Sequence, residues 1–233
     1  MIEAHEVVPG LWLFQGDGSA RNFLVLVGDS GAVVVDPGLP DAVNRFVAEM
    51  VSNLEAVVLT DSTALAVAEA TSAWPTLPLL SPEMFKDRMP LPVSIPPWDA
   101  IPLNGTHAHM ALYETKERVL LAGDLLPEPN AGVPSLVGGV EGYLADLETI
   151  EALDAKLVVP SRGAPATGKR AIKARIENDR NYVTSLVRHV GTSAASGIPL
   201  DRLLSVAAEL YDDFPHLQAH LMNMRYVWDE LRG

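Results

Sequence analysis

The chain has 233 residues, 48% of them hydrophobic, 20% charged and none cysteine. That length buries roughly 70–75% of the unfolded surface as one domain, and the lack of cysteine excludes disulfides and thiolate metal ligands. Seventeen Lys and Arg against thirty Asp and Glu give a net charge of −13, which argues against nucleic acid or an anionic membrane as partner. With no signal-like start and no apolar run near about 18 residues, the expectation is a soluble, cytoplasmic protein.

In chain order, Phe23–Val27, Gly28-Asp29-Ser30-Gly31 and Ala32–Val35 read as a β-hairpin whose second strand ends at Asp36-Pro37-Gly38. A helical segment over Pro40–Val51 and an aliphatic strand over Leu54–Leu59 follow. The stretch Pro75–Pro102 contains eight prolines. Proline removes ladder donors and fixes φ, so most of this stretch is expected to be an irregular crossover, with Trp98–Leu103 at the rim of a groove. Met110–Tyr113, Glu114–Glu117 and Arg118–Ala122 then repeat the hairpin and end at Gly123-Asp124. Glu141–Leu153, with an apolar stripe of Leu144, Leu147, Ile150 and Leu153, and the strand Lys156–Pro160 complete a second unit. Two hairpin–helix–strand units facing each other predict an αβ/βα sandwich with a groove along the shared edge. After Pro165 the pattern is helical. Ile172, Ile176, Val183, Leu186, Val187 and Val190 fit one helix, and Ser196-Gly197-Ile198-Pro199 ends it. A segment over Asp201–Tyr211 and a last helix carrying Leu217, Leu221, Met224, Trp228 and Leu231 close the chain.

Four short segments follow or flank the aliphatic strands: Thr60-Asp61-Ser62-Thr63-Ala64-Leu65, Asn104-Gly105-Thr106-His107-Ala108-His109, Gly123-Asp124 and Pro160-Ser161-Arg162-Gly163. Sites in layered α/β folds gather at such strand ends. In their order and spacing these segments resemble the THxHxDH, GHTPG, GD and PGHG motifs of the metallo-β-lactamase superfamily, over nearly the whole chain. The resemblance implies an α/β fold: a four-layer αβ/βα sandwich with extra C-terminal helices, as one domain over 1–233. Its parts would be a first half at 1–74, the proline-rich crossover at 75–102, a second half at 103–165 and helices at 166–233. It also implies that the family's metal-binding histidines fall here on Asp61, Thr63, Ala66, Gly105 and Arg162, and its motif aspartate on Leu65. Asp124 alone keeps the family's residue, at the bridging carboxylate position.

A catalytic zinc needs about three imidazole or carboxylate ligands and an open position for water. Threonine is a poor ligand, glycine has no side chain, and a permanent arginine cation repels a divalent ion. A dinuclear zinc site is therefore not expected, and neither is any cofactor. A carboxylate at the bottom of a groove still needs compensation, so Arg162 is expected to pair with Asp124 or Asp61. The expected groove lining is Asp61, Ser62, Thr63, Thr106, His107, Asp124 and Arg162, with Asp61, Asp124 and His107 as catalytic candidates. His107 and His109, on one face if their segment is extended, would join Asp61 and Asp124 in a fallback site for a single Zn or Mn ion. Asp36 resembles the family's structural aspartate behind the metal site. His216 and His220, four apart without a neighbouring HExxH glutamate, read as surface or interhelix residues. Gly138-Gly139 reads as a loop, and no Gly-x-Ser-x-Gly elbow is present.

The resulting expectation is a metal-free small-molecule-binding or regulatory homologue of the superfamily's hydrolases. The alternative is a hydrolase using a reduced, mononuclear metal site or metal-independent Asp/His acid–base chemistry. Partners are expected to be a small molecule, with no nucleic acid and no membrane; a homo-oligomer is left open.

Overall fold

Strands as uniformly aliphatic as Ala32–Val35 or Val119–Gly123 are stable only when both faces are covered, and the architecture follows from covering them. The computed structural model describes residues 3–15, 21–29, 31–37, 49, 53–85, 87–93, 98–103 and 109–232. The first sheet runs in chain order: β1 (Glu3–Val8), β2 (Leu11–Gln15), β3 (Phe23–Val27), β4 (Ala32–Val35), β5 (Leu54–Val58) and β6 (Leu79–Leu80). The second runs in reverse, from β12 (Ala166–Thr167) through β11 (Leu157–Pro160), β10 (Val119–Gly123), β9 (Met110–Glu114) and β8 (Trp98–Pro102) to β7 (Met89–Pro90).

The expected internal duplication is visible in the pairing. β3 and β4 are antiparallel and β4 and β5 parallel; β9 and β10 are antiparallel and β10 and β11 parallel. Residues on alternate sides of each strand face different layers. Val33, Val35 and Val58 pack with Leu112, Leu121 and Val159 between the sheets. Phe14, Phe23, Val25, Ala32 and Val34 point outward, and Val57 and Leu59 meet Ala66 and Ala70 of α1 (Ala64–Ala73). On the other outer face, Leu120, Ala122 and Val158 pack against α2 (Val140–Ala152), α3 (Lys169–Ala195), α4 (Leu200–Leu210) and α5 (Leu217–Arg232). The order helix, sheet, sheet, helices is the expected αβ/βα sandwich with C-terminal helices. The helix expected over Pro40–Val51 lies outside the described residues, apart from Glu49.

The proline-rich stretch is more regular than expected. Trp98–Pro102, expected within an irregular crossover, is strand β8, paired along its length with β9. Its own proline sits at the strand end, and Pro90 lies on the edge strand β7, where a missing N–H breaks no ladder. The helical stripe of α3 behaves as read: Ile172, Ile176, Val183, Leu186 and Val190 are buried. In α5, Met224 and Trp228 are buried while Leu231 is exposed, so the stripe fades toward the C-terminus.

The two sheets are laced together at one end by Asn22. Its backbone N–H donates to the Ser161 carbonyl at 2.6 Å, and its side-chain amide donates to the carbonyls of Pro160 at 2.8 Å and Gly163 at 2.7 Å. Asn22 is buried, so Asn22→Ala strands two carbonyls away from water. It is expected to lower the unfolding free energy by about 2–4 kcal/mol, read from urea denaturation.

Candidate functional site

Six strand ends meet at this laced seam. Arg21 and Asn22 enter β3, Asp36 leaves β4, and Thr60 and Asp61 leave β5. His109 enters β9, Gly123 and Asp124 leave β10, and Ser161 and Arg162 leave β11. Backbone bonds fix the approach: Met110 N–H donates to the Thr60 carbonyl at 2.9 Å and Ser161 N–H to the Gly123 carbonyl at 2.7 Å. Isolated antiparallel bridges pair Asp61 with His109 and Arg21 with Arg162. Gly123, at φ +57°, lies so close to Thr60 that a Cβ would come within 2.7 Å of Oγ1. No larger residue fits between the sheets there.

At the bottom lie Asp61 and Asp124 with a single guanidinium between them. One terminal nitrogen of Arg21, Nη2, is 3.3 Å from Asp61 Oδ2 and 3.1 Å from Asp124 Oδ2. The remaining oxygens are also held. Asp61 Oδ1 accepts the Thr63 N–H at 2.7 Å, and Asp124 Oδ1 accepts the Ser161 hydroxyl. Burial alone would raise the Asp124 pKa, but the charge of Arg21, the Ser161 hydroxyl and the charges of His109 and Arg162 outweigh it and hold the group below the usual carboxylate range. Burial works against the Arg21 cation, and the charges of Asp124, Asp36 and Asp61 overcome it, so its pKa rises. Arg21, which no sequence motif singles out, bridges both carboxylates, and Arg162, expected to pair with Asp124 or Asp61, is close enough for its charge to lower the Asp124 pKa. The Arg162 pKa is itself lowered by burial, and a backbone bridge joins this residue to Arg21.

The other expected residues fall as follows. Thr63 caps α1, its hydroxyl accepting the Ala66 N–H, and also contacts Asp61 Oδ2 at 3.3 Å. The Ser62 hydroxyl donates to Glu83. His109 is buried with Nε2 3.8 Å from Asp61 Oδ1. Gly105, Thr106 and His107 lie outside the described residues. Asp36 stands behind the site and accepts both the Thr60 N–H at 2.7 Å and its hydroxyl at 2.5 Å. Burial nevertheless pushes its pKa up to about 6. His220 is an interhelix residue, its Nδ1 meeting the Tyr182 hydroxyl at 2.9 Å among Tyr211 and Phe214, whereas His216 lies just before the last helix with its ring edge-on to Phe214.

Two cavities open beside Arg162 under α5. One, of about 180 Å³, is bordered by Asp124, Ser161, Arg162, Val137, Met222 and Tyr226. The other, of about 340 Å³, is bordered by Arg162, Val133, Phe214, His216, Leu217 and Gln218. Their shared wall is the segment after Asp124, which carries no motif in the sequence. Asn223 of α5 ties it down by accepting the Leu136 N–H at 3.1 Å and donating to the Pro134 carbonyl at 2.6 Å. The His216 Nε2–H reaches the Asn130 carbonyl at 3.2 Å.

Residues 99–162, which hold β8 to β11 and half of the site, match the model of the metallo-beta-lactamase superfamily. No curated protein matches the chain. Among solved structures, a metallo-beta-lactamase family protein from Thermus thermophilus superposes with TM-score 0.65 at 16% identity, over 97% of this chain and 94% of its own. A metallo-beta-lactamase from Pontibacter korlensis gives 0.62 at 15%, over 78% of this chain and 100% of its own. The inverting sec-alkylsulfatase Pisa1 from Pseudomonas sp. gives 0.68 at 13%, over 99% of this chain, which spans only 50% of that enzyme. At such identities the likeness establishes the fold.

Asp36 makes stability depend on pH in a definite direction. Its folded pKa of about 6 lies above the ordinary value of 3.8, so between these values the native state holds a proton that the unfolded chain has released. Stability from this group is complete below pH 3.8 and falls by up to about 3 kcal/mol as pH rises to 6. Asp36→Asn is expected to flatten that part of the curve in denaturant titrations run from about pH 4 to 7. An unchanged slope would contradict the assignment.

Proposed function

We propose that the chain is a divergent, metal-free member of the metallo-β-lactamase superfamily that binds a small molecule in the groove beside Asp124. The observation that carries this reading is the Arg21 guanidinium lodged between Asp61 and Asp124. All four carboxylate oxygens already accept hydrogen bonds, from Arg21, Thr63 and Ser161. A divalent ion at this spot would have to expel a permanent cation. Among the described residues, no group of three or more His, Asp or Glu is arranged to hold a metal. The side chains present therefore do not fit the family's zinc, and no catalytic step is drawn through one. In its place, the ion pair supplies a fixed polar floor under a pocket whose upper wall is apolar.

A second reading, an acid–base hydrolase using Asp61, Asp124 and a histidine with or without one Zn or Mn ion, draws on His109 Nε2 lying 3.8 Å from Asp61. Elemental analysis and a panel of lactone, thioester and phosphodiester substrates separate the two. The metal-free reading predicts no stoichiometric metal, no change in Tm on adding EDTA, and no turnover. Arg21→Ala should cost about 2–4 kcal/mol, the lower end reflecting partial exposure of Arg21, and Mn or Zn should raise the Tm of this variant but not of the wild type. Turnover that disappears in Asp124→Ala together with bound metal would overturn the reading.

A further inference from the structure

We propose that His220, Tyr182 and Asn223 form a proton-sensitive latch on the groove wall: a neutral His220 imidazole keeps residues 134–136 in place, and protonation of His220 releases them. As regulation of the groove this rests on the binding reading above; the latch itself needs no ligand. Pro134, Ser135 and Val137 border the smaller cavity together with Asp124. Residues 132–136 belong to no helix or strand, so side-chain partners decide where they lie. Leu136 is buried and its N–H donates to Asn223 Oδ1 at 3.1 Å, while the Pro134 carbonyl accepts from Asn223 Nδ2 at 2.6 Å.

The partners dictate where each proton sits. An N–H only donates and a carbonyl only accepts, so Leu136 and Pro134 fix the orientation of the Asn223 amide. Its nitrogen also donates to the Tyr182 hydroxyl at 3.1 Å, which makes that oxygen an acceptor. The single Tyr182 proton then goes to His220 Nδ1, 2.9 Å away. His220 is therefore neutral in this arrangement, with its own proton on Nε2. A proton added at Nδ1 turns this acceptor into a donor aimed at the Tyr182 oxygen. Among the described residues the Tyr182 hydroxyl has no other acceptor, so its proton loses its partner or competes with the Asn223 N–H.

The surroundings favour the neutral ring. Tyr182, Tyr211 and Phe214 stand edge-on to the imidazole with ring centroids at 5.8, 5.7 and 6.0 Å. Burial, and then the like charge of His189 from α3, hold the His220 pKa below its usual 6.5. His216, four residues earlier, is turned to the Asn130 carbonyl, and the Asp179 charge acts on Tyr182. Burial pushes the Tyr182 pKa up to about 12, so its hydroxyl keeps its proton. The latch is closed at neutral pH and opens as the pH falls below 6.5.

Nuclear magnetic resonance on the full chain without ligand tests this, so failure of the latch and failure of the binding reading are seen separately. His220 is expected as the Nε2–H tautomer at about pH 8, and the protection factor of the Leu136 amide is expected to fall about tenfold as His220 titrates. Amides of β10 should keep their protection over the same range. His220→Gln offers Tyr182 a carbonyl acceptor that does not titrate, and Leu136 protection should then stay constant down to about pH 5. Tyr182→Phe keeps the ring but cuts the relay, and Leu136 protection should no longer follow the His220 titration. An Nδ1–H tautomer, Leu136 protection indifferent to the His220 titration, or an unchanged pH dependence in His220→Gln would overturn the latch.

Discussion

Two carboxylates sit within a seam where six strand ends converge, and one guanidinium holds both. Asp61 is almost wholly enclosed, and an unpaired charge there would cost several kcal/mol. Arg21 is therefore not decoration on the groove. Its presence allows Asp124 to stay ionised while buried, and the Ser161 hydroxyl completes the shell. Asp36 shows what happens nearby without a direct cation: two donors from Thr60 do not prevent its pKa from rising to about 6.

The sandwich makes this arrangement rigid. The strands carrying Asp61, Asp124 and Ser161 are buried on both faces, so their ends cannot shift independently. Asn22 and the Gly123–Thr60 approach fix the spacing between sheets. On the open side the wall is built differently, from an irregular segment after Asp124 anchored to α5 by Asn223 and His216.

Much of this is legible in the chain. Aliphatic runs locate the strands, their repetition marks the two halves, and the motif positions place Asp61, Asp124 and Arg162 at adjoining strand ends. The bridging cation is not legible. Arg21 lies 40 residues from Asp61 and 103 from Asp124, carries no motif, and is marked only by preceding the buried run that starts at Asn22. Arg162 draws attention because it occupies a motif position, and the Arg21–Arg162 backbone bridge puts the two arginines side by side. The wall segment escapes for a related reason: Pro127–Gly139 has no period, and its order comes from partners nearly 90 residues away. Trp98–Pro102 reads as part of an irregular crossover when proline content is weighed over pairing, although its one proline sits at the strand end.

The central claim is that a guanidinium, rather than a divalent ion, occupies the space between Asp61 and Asp124. A crystal of the protein soaked in zinc, with data collected at the zinc absorption edge, tests it directly. The account predicts continuous density joining Arg21 to Asp61 and Asp124, with no anomalous peak between the carboxylates. An anomalous peak there, with Arg21 swung away toward solvent, would contradict it.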